Sequence, residues 1–365
     1  MNKPVFSIPS MSEIEATPKN GLKVMSLFSG CGGSSLGYRM SGYDVVLANE
    51  FLPAAQEVYE LNKSPHTILD KGDIRNISGA SLLTRVGLEK GELDILDGSP
   101  PCASFSTSGN REKDWGEIKS YSDTNQRTDD LFIEFIRMVD EIQPKVFIAE
   151  NVVGLVTGTS KGMFLEFLKR MKATGYQVKA ASLDSQWLGV PQTRVRVFFI
   201  GVRNDLEKTP TFPTPLPYKY SIREAFDGQD SIVDNTLANT WLSLQDDDGV
   251  RSDPRLLDAS GQQALYHVWM RTPKGGRDMT RFNFVKADFN LPCSTITAAA
   301  AHGAGVTHES EPRRFTISEL KRVFTFPADF QLVGSFEKQW ERLGRSVPPF
   351  MMKELSATVR DTILQ

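Results

Sequence analysis

Cys102 stands in the stretch "GSPPCASFS" (98–106), behind Pro100 and Pro101. The two prolines fix φ and remove two backbone donors, so the chain approaches the thiol stiffly. Taken alone, that thiol is a nucleophile, a metal ligand or an inert buried side chain, and the last is the commonest fate of a lone cysteine. Glu150 ends the apolar run "VFIAEN" (146–151) with a carboxylate; by itself it reads as a solvated strand end. Arg194 and Arg196 in "VPQTRVRVFF" are two residues apart, which on a strand puts both on one face, and the bland reading of that face is an exposed one. "SLFSGCGGSSLGY" (26–38) reads as a strand, a glycine turn and a helix start. Gly30, Gly32 and Gly33 let backbone approach a ligand closely, and Ser34 and Ser35 are candidates to cap the helix. Ser35 stands where a dinucleotide fingerprint has its third glycine. Glu50 follows the glycines by about 20 residues, the place where an acid holds both ribose hydroxyls of a nucleoside cofactor. In "KGDI" (71–74), Asp73 is suited to accept from an adenine amino group, with Ile74 against the ring. Glycine turn, Glu50 and Asp73–Ile74 suit an adenosyl ligand and do not require a pyrophosphate.

Such residues need a frame. Between 24 and 202, short apolar runs ("VMSLF", "VVLANE", "LDILDG", "VFIAEN", "VRVFFIG") alternate with helical patterns. Continuous apolar strands suit a mostly parallel sheet covered on both faces. In "DDLFIEFIRMVDEIQP", Leu131, Phe132, Phe135, Met138 and Val139 fall on one helical side and Pro144 marks the end; "GMFLEFLKRMKATG" reads as a helix closed by Gly175. The repeated alternation predicts an α/β, doubly wound sheet, with ligands at the C-terminal ends of its strands. The polar segment after Cys102 lacks a core pattern and reads as a functional lid. "KTPTFPTPLPYKY" marks a boundary, beyond which the chain is irregular and aromatic-sprinkled until "TISELKRVFTFP", where Thr316 and Glu319 have the spacing of a capping box. Residues 1–20 read as a mobile N-terminal extension.

The chain has 365 residues, 24% of them charged, and a net charge of −3, an ordinary soluble globular composition that leaves room for a local basic cleft. The apolar runs are too short for a membrane span, and the N-terminus lacks the apolar core of a signal peptide. Three cysteines and four histidines form no zinc spacing, so no metal is expected, and the sparse odd cysteines suit a reducing compartment.

In order and spacing these segments resemble the cytosine-5 DNA methyltransferase family of bacterial and phage type. "LFSGCGGSSLG" is similar to its cofactor glycine motif, "GSPPC" to its catalytic cysteine motif, "ENV" to its acid motif and "QTRVR" to its arginine motif. "RRFTISELKRVFTFP", with Arg313, Glu319, Arg322 and Pro327, is similar to a late structural motif, and "GRSVPP" to the closing one. The resemblance implies a Rossmann-like S-adenosylmethionine-dependent methyltransferase fold over 21–202, completed by 344–365. It also implies a smaller, irregular target-recognition domain over 203–316 and a hinge region over 317–343. Cys102 would add to carbon 6 of a cytosine flipped out of duplex DNA. Glu150 would act at ring N3, Arg196 would bind O2 and Arg194 would position the nucleophile loop. S-adenosyl-L-methionine, leaving as S-adenosyl-L-homocysteine, would lie against Phe28, Ser29, Gly30, Cys31, Gly32, Glu50, Phe51, Asp73, Ile74, Pro100, Leu131, Arg345, Ser346 and Val347. Ser106, Ser108, Gln192 and Thr297 would contact DNA.

The chain departs from the family at two points. Arg345 stands where the family has asparagine, and would pair with the methionine carboxylate of the cofactor. Ala103-Ser104 follow Cys102 in place of Gln-Ala or Gln-Pro. The reaction needs one active site on one strand, which suits a monomer; the resemblance further implies an enzyme of the bacterial cytoplasm and leaves open whether it is paired functionally, without a stable complex, with a restriction endonuclease. A tRNA methyltransferase on the same core, or an inactive DNA-binding regulator, is the competing reading; retention of Cys102, Glu150, Gln192, Arg194 and Arg196 argues against the regulator.

Overall fold

A computed structural model describes residues 3–101, 119–121, 124–126, 130–156, 161–229, 265–278, 284–298 and 305–365. The chain divides into two compact units. One holds Met11–Asp184, Val195–Pro215 and Pro349–Gln365; the other holds Met1–Ser10, Ser185–Arg194 and Leu216–Pro348.

The first unit is built on a seven-stranded sheet of order β3-β2-β1-β4-β7-β9-β8. Its strands are β1 (Lys23–Leu27), β2 (Asp44–Asn49), β3 (Ile68–Asp70), β4 (Ile95–Gly98), β7 (Val146–Val152), β8 (Tyr176–Asp184) and β9 (Val195–Arg203). β5 (Lys119–Tyr121) and β6 (Thr124–Gln126) pair as a separate antiparallel hairpin inside the segment expected to be a lid. β1, β2, β3, β4 and β7 pair in parallel, whereas β9 runs antiparallel to both β7 and β8. β1 lies between β2 and β4, so the strand order reverses at the β1/β4 pair, the switch point where ligands of doubly wound sheets collect.

The expected apolar strands are buried almost throughout: β4 is fully buried, as is β1 after its first residue. On one side, α5 (Leu131–Ile142) and α6 (Lys161–Ala173) bring Phe132 and Phe167 into a stack at 4.3 Å, with Phe199 edge-on to Phe132 at 5.6 Å. Removing each such ring from water contributes about 2 kcal/mol. α5 ends before Pro144, with Gln143 at φ 52. On the other side, α2 (Gly33–Met40) packs on α11 (Pro349–Val359) at the chain's end. Gly37 makes that contact possible: a Cβ there would meet the Pro349 carbonyl oxygen at 2.5 Å and Met352 Cβ at 2.6 Å. Tyr43 Oη donates to the Ser356 carbonyl at 2.8 Å, fastening the C-terminal helix to the sheet unit.

The stretch expected to be a mobile N-terminal extension is packed instead. Residues 11–15 form α1, Ile14 is buried, and Glu15 accepts from Arg39 at 2.9 Å. In the other unit Phe6 is buried edge-on to Tyr220 at 5.0 Å. Phe6 and Ile14 supply the anchors that a polar average over the segment conceals.

The second unit has little regular structure among its described residues. A two-stranded ladder joins β10 (Val285–Lys286) to β11 (Val306–Thr307), and Phe226, Phe289, Phe315 and His308 pack edge-to-face. α9 (Ile317–Val323) starts with the expected capping box, Thr316 Oγ1 accepting from the Glu319 backbone and the Glu319 carboxylate from the Thr316 backbone. Arg313 grips the buried Glu319 with two hydrogen bonds of 2.8 Å each.

Candidate active site

Four strand ends of the sheet unit line up. Leu27 of β1 pairs with Asn49 of β2 and with Gly98 of β4, and Gly98 pairs with Ala149 of β7. The next residues along each chain are Phe28, Glu50, Ser99 and Glu150. Residues far apart in sequence thus meet along one edge because the register is shared.

At the β1 end the backbone turns left-handed at Phe28 (φ 54), Gly30 (φ 56) and Gly32 (φ 95). For a bulky residue such as Phe28 this conformation costs of order 1–3 kcal/mol, the kind of strain found at ligand sites. Gly32 is the N-cap of α2, so Ser34 and Ser35 do not cap the helix: both are buried within it, and Ser35 Oγ bonds Tyr59 Oη at 2.8 Å. Glu50 is 6% exposed, and its two oxygens accept from the Gly30 and Leu52 amides at 2.7 Å each. A Cβ at Gly30 would meet nothing within 4 Å, so the backbone there is open to a ligand.

Asp73 caps a short turn (Ile74–Asn76) and accepts from the Arg75 guanidinium at 3.0 Å. Arg75 also grips Asp130, the residue before α5, at 2.9 Å, and these carboxylates raise its pKa. Arg75 and Asp130 carry no signal in the sequence, since no local motif marks a bridge formed across 55 residues. Phe28, Ile74 and Leu131 meet in one apolar cluster, Ile74 and Leu131 buried and Phe28 partly so. Phe51 is exposed, Cys31 is buried, and Ser29 Oγ is tied to the Ser26 carbonyl at 2.7 Å.

Cys102, Ser106 and Ser108 lie outside the described residues, but the approach to Cys102 is visible as far as Pro101. Pro100 is buried, and its carbonyl accepts from Asn151 Nδ2 at 3.3 Å. Asn151 is itself buried, so the residue after the candidate acid tethers the segment that leads to the thiol. Glu150 lies opposite Phe198 while Val152 lies opposite Arg196, so Glu150 and Arg196 are diagonal neighbours on one face of the β7/β9 ladder. Arg196 Nε sits 3.0 Å from Glu150 Oε1, with the two side chains 16% and 12% exposed. Burial lowers the pKa of Arg196 from its ordinary value, and the Glu150 carboxylate opposes that shift.

Arg194 does not share this strand face. It precedes β9, belongs to the other unit and is 1% exposed, donating to the carbonyls of Ile296 at 3.0 Å and Gly344 at 2.9 Å. Gln192, expected to touch DNA, is fully buried; it accepts from the Ile296 amide and donates to the Val323 carbonyl, both at 3.4 Å. A side chain spent on backbone groups in a core supports the segment 293–297 and cannot reach DNA from there. Thr297 in that segment is half-buried, and its carbonyl accepts from Trp340 Nε1 at 3.0 Å. Arg345 pairs with Glu341 one turn back on its helix at 2.8 Å, while Ser346 and Val347 are buried.

A doubly wound sheet with one reversed strand, a glycine turn bound to an acid and a charged pair beside the Pro100 segment together mark the C-terminal ends of the parallel strands as the candidate site. The chain belongs to the C-5 cytosine-specific DNA methylase family, whose sequence model matches residues 22–360. It is a DNA cytosine-5 methyltransferase. Among similar curated proteins, the type II methyltransferase M.NgoFVII of Neisseria gonorrhoeae is 31% identical over 93% of this chain and 87% of its own length. M.NgoPII, also of Neisseria gonorrhoeae, is 29% identical over 97% and 99%. Among solved structures, a protein described as a DNA modification methyltransferase encoded within an E. coli prophage shares the fold with a TM-score of 0.71 at 20% identity, covering 94% of this chain and 100% of its own. The Spodoptera frugiperda DNMT2 shares the fold at a TM-score of 0.62 and 19% identity, covering 94% and 100%.

Proposed function

We propose that the chain methylates carbon 5 of a cytosine flipped from a specific short sequence of duplex DNA, with S-adenosyl-L-methionine as methyl donor and Cys102 as covalent nucleophile. The observation that carries this reading is the Glu150–Arg196 pair, half-buried beside the tethered Pro100 segment. Cytosine carbon 5 is a poor nucleophile. Addition of the Cys102 thiolate at carbon 6 moves electron density to N3 and carbon 5. Glu150, holding a proton at N3, and Arg196, at O2, stabilise the charge that develops. Carbon 5 takes the methyl group; a base then removes its proton, and the carbon 6–sulfur bond breaks to return Cys102. The ring cannot be attacked while stacked, so the base must leave the duplex.

The residues at the β1 and β2 ends fit the donor. Glu50 suits the ribose hydroxyls, Asp73 the adenine amino group, and Phe28, Ile74 and Leu131 the ring; the bare backbone at Gly30 gives the amino-acid end room. When bound, the donor supplies an electrophilic methyl on a sulfonium. Ser106, Ser108 and Thr297 are proposed to meet DNA, with Gln192 acting through the segment that it braces. A single chain suffices for one strand, so we take the enzyme as a monomer, and the curated type II relatives support functional pairing with a restriction endonuclease. Among the described residues no helix is long and apolar enough to cross a membrane.

The test is incubation with labelled donor and duplex DNA, with tRNA alongside, followed by bisulfite mapping. Methyl on cytosine in DNA is expected; transfer to adenine, to tRNA alone or to no nucleic acid refutes the reading. Cys102→Ala should abolish covalent trapping by a 5-fluorocytosine oligonucleotide, and a persisting adduct would refute the nucleophile.

A further inference from the structure

Asp97 is a buried carboxyl that the proposed reaction leaves unused. It is 1% exposed, on the central strand β4, one residue before the aligned strand ends. Ser26 Oγ of β1 donates to it at 3.1 Å and Tyr38 Oη of α2 at 3.3 Å. Among the described residues no cation pairs with it. Asp97 lies opposite Ile148 in the parallel β4/β7 ladder. Glu150, two residues further along β7, therefore shares its sheet face, about 8 Å away by strand spacing and rise.

That placement answers a difficulty in the Glu150 chemistry. Arg196, at 3.0 Å, favours the ionised carboxylate, whereas stabilising charge at ring N3 requires a proton there. We propose that Asp97 is a positioning residue for Glu150: the two carboxyls, on one sheet face, compete for ionisation, so that an ionised Asp97 opposes the pull of Arg196 and raises the proton affinity of Glu150. The inference rests on the role assigned to Glu150 above. Other titratable groups around Asp97 are Tyr38, and Tyr59 of α3 (Pro53–Asn62), both with pKa values raised chiefly by burial and both neutral in this range. Burial pushes the Asp97 carboxyl up to about 7; the hydrogen bonds from Ser26 and Tyr38 work against this, and the Glu150 charge adds to it. Two carboxyls that feel each other titrate as a pair, and the effect is reciprocal.

Reciprocity supplies a test that needs no turnover. With aspartate labelled at the carboxyl carbon, NMR follows the Asp97 titration in the full chain and in Glu150→Gln. Removing a charge about 8 Å away should lower the Asp97 midpoint by about one pH unit at the effective dielectric of a protein interior. An unmoved midpoint overturns the proposal, whatever the enzyme does with DNA. In parallel, the basic limb of the kcat profile, where Glu150 loses its proton, should fall by about one unit in Asp97→Asn, leaving about tenfold less activity on that limb. A merely structural Asp97 would lower kcat at every pH without moving the limb, and that result also overturns the proposal. Failure of the wild-type chain to methylate cytosine would sink the functional reading alone and leave the NMR result to judge the coupling.

Discussion

Replacing Asp97 by Asn should stabilise the sheet unit, and more so as the pH rises. The carboxyl sits at about 7 in the folded chain against an ordinary 3.8. Each factor of ten in proton affinity is worth about 1.4 kcal/mol. A folded value raised above the unfolded one means that the group's contribution is fully present below the unfolded value and is lost as pH rises through the folded value. The window therefore runs from roughly pH 4 to pH 7. Between pH 5 and pH 8 the wild-type chain should lose about 3 kcal/mol that Asp97→Asn keeps. The amide oxygen of Asn still accepts from Ser26 or Tyr38, so the packing and one hydrogen bond survive. The measurement is urea unfolding at several pH values, read by hydrogen exchange of β1, β4 and β7, which isolates this unit from the other. A stability difference between the two proteins that stays constant within about 0.5 kcal/mol from pH 5 to pH 8 would refute an Asp97 that titrates near neutrality.

Three other substitutions probe the frame. Arg194→Met strips charge-assisted hydrogen bonds from the carbonyls of Ile296 and Gly344; the unit that holds it should lose about 3 kcal/mol in urea unfolding, and a loss below about 1 kcal/mol would show that these bonds contribute little. Gly37→Ala drives a Cβ against Pro349 and Met352 and should cost about 3 kcal/mol by overpacking, seen as a fall in Tm; an unchanged Tm would mean that α2 and α11 part easily. Asn151→Ala releases the Pro100 carbonyl and should slow 5-fluorocytosine trapping about tenfold by loosening the nucleophile segment while leaving donor affinity unchanged; an unaltered trapping rate would deny the tether a role.

Much of the frame was legible because it is written in short-range patterns. The apolar runs gave β1, β2, β4, β7 and β9 to within a residue or two, and Thr316 and Glu319 announced their capping box. β8 escaped because it is an edge strand with mixed burial, "YQVKAASLD", that carries no continuous apolar run. Ser34 and Ser35 looked like caps because their types favour that position, but the left-handed Gly32 caps α2, both serines are buried, and Ser35 turns to Tyr59 of α3. Arg194 and Arg196 looked like one strand face because two residues separate them. The strand begins only at Val195, and Arg194 turns instead to carbonyls more than a hundred residues on. Where a side chain's partner is far away in sequence, residue type and spacing leave its role open.

The direction of β9 is the case with most consequence for the chemistry. A run such as "VRVFFIG" predicts a buried strand and says nothing of its sense. Were β9 parallel to β7, with Val195 beside Val146, Arg196 would lie beside Phe147, three residues short of Glu150 and about 10 Å away along the strand. The observed antiparallel register sets Arg196 opposite Val152 and in contact with Glu150. One reversed strand thus carries the guanidinium from the entry of its own strand to the edge where the parallel strands end, which is where Asn151 holds the Pro100 carbonyl. The charged pair is a product of topology. It follows that Arg196→Lys, which keeps the charge but gives up the planar fork at the same place, should impair methyl transfer far more than it impairs folding.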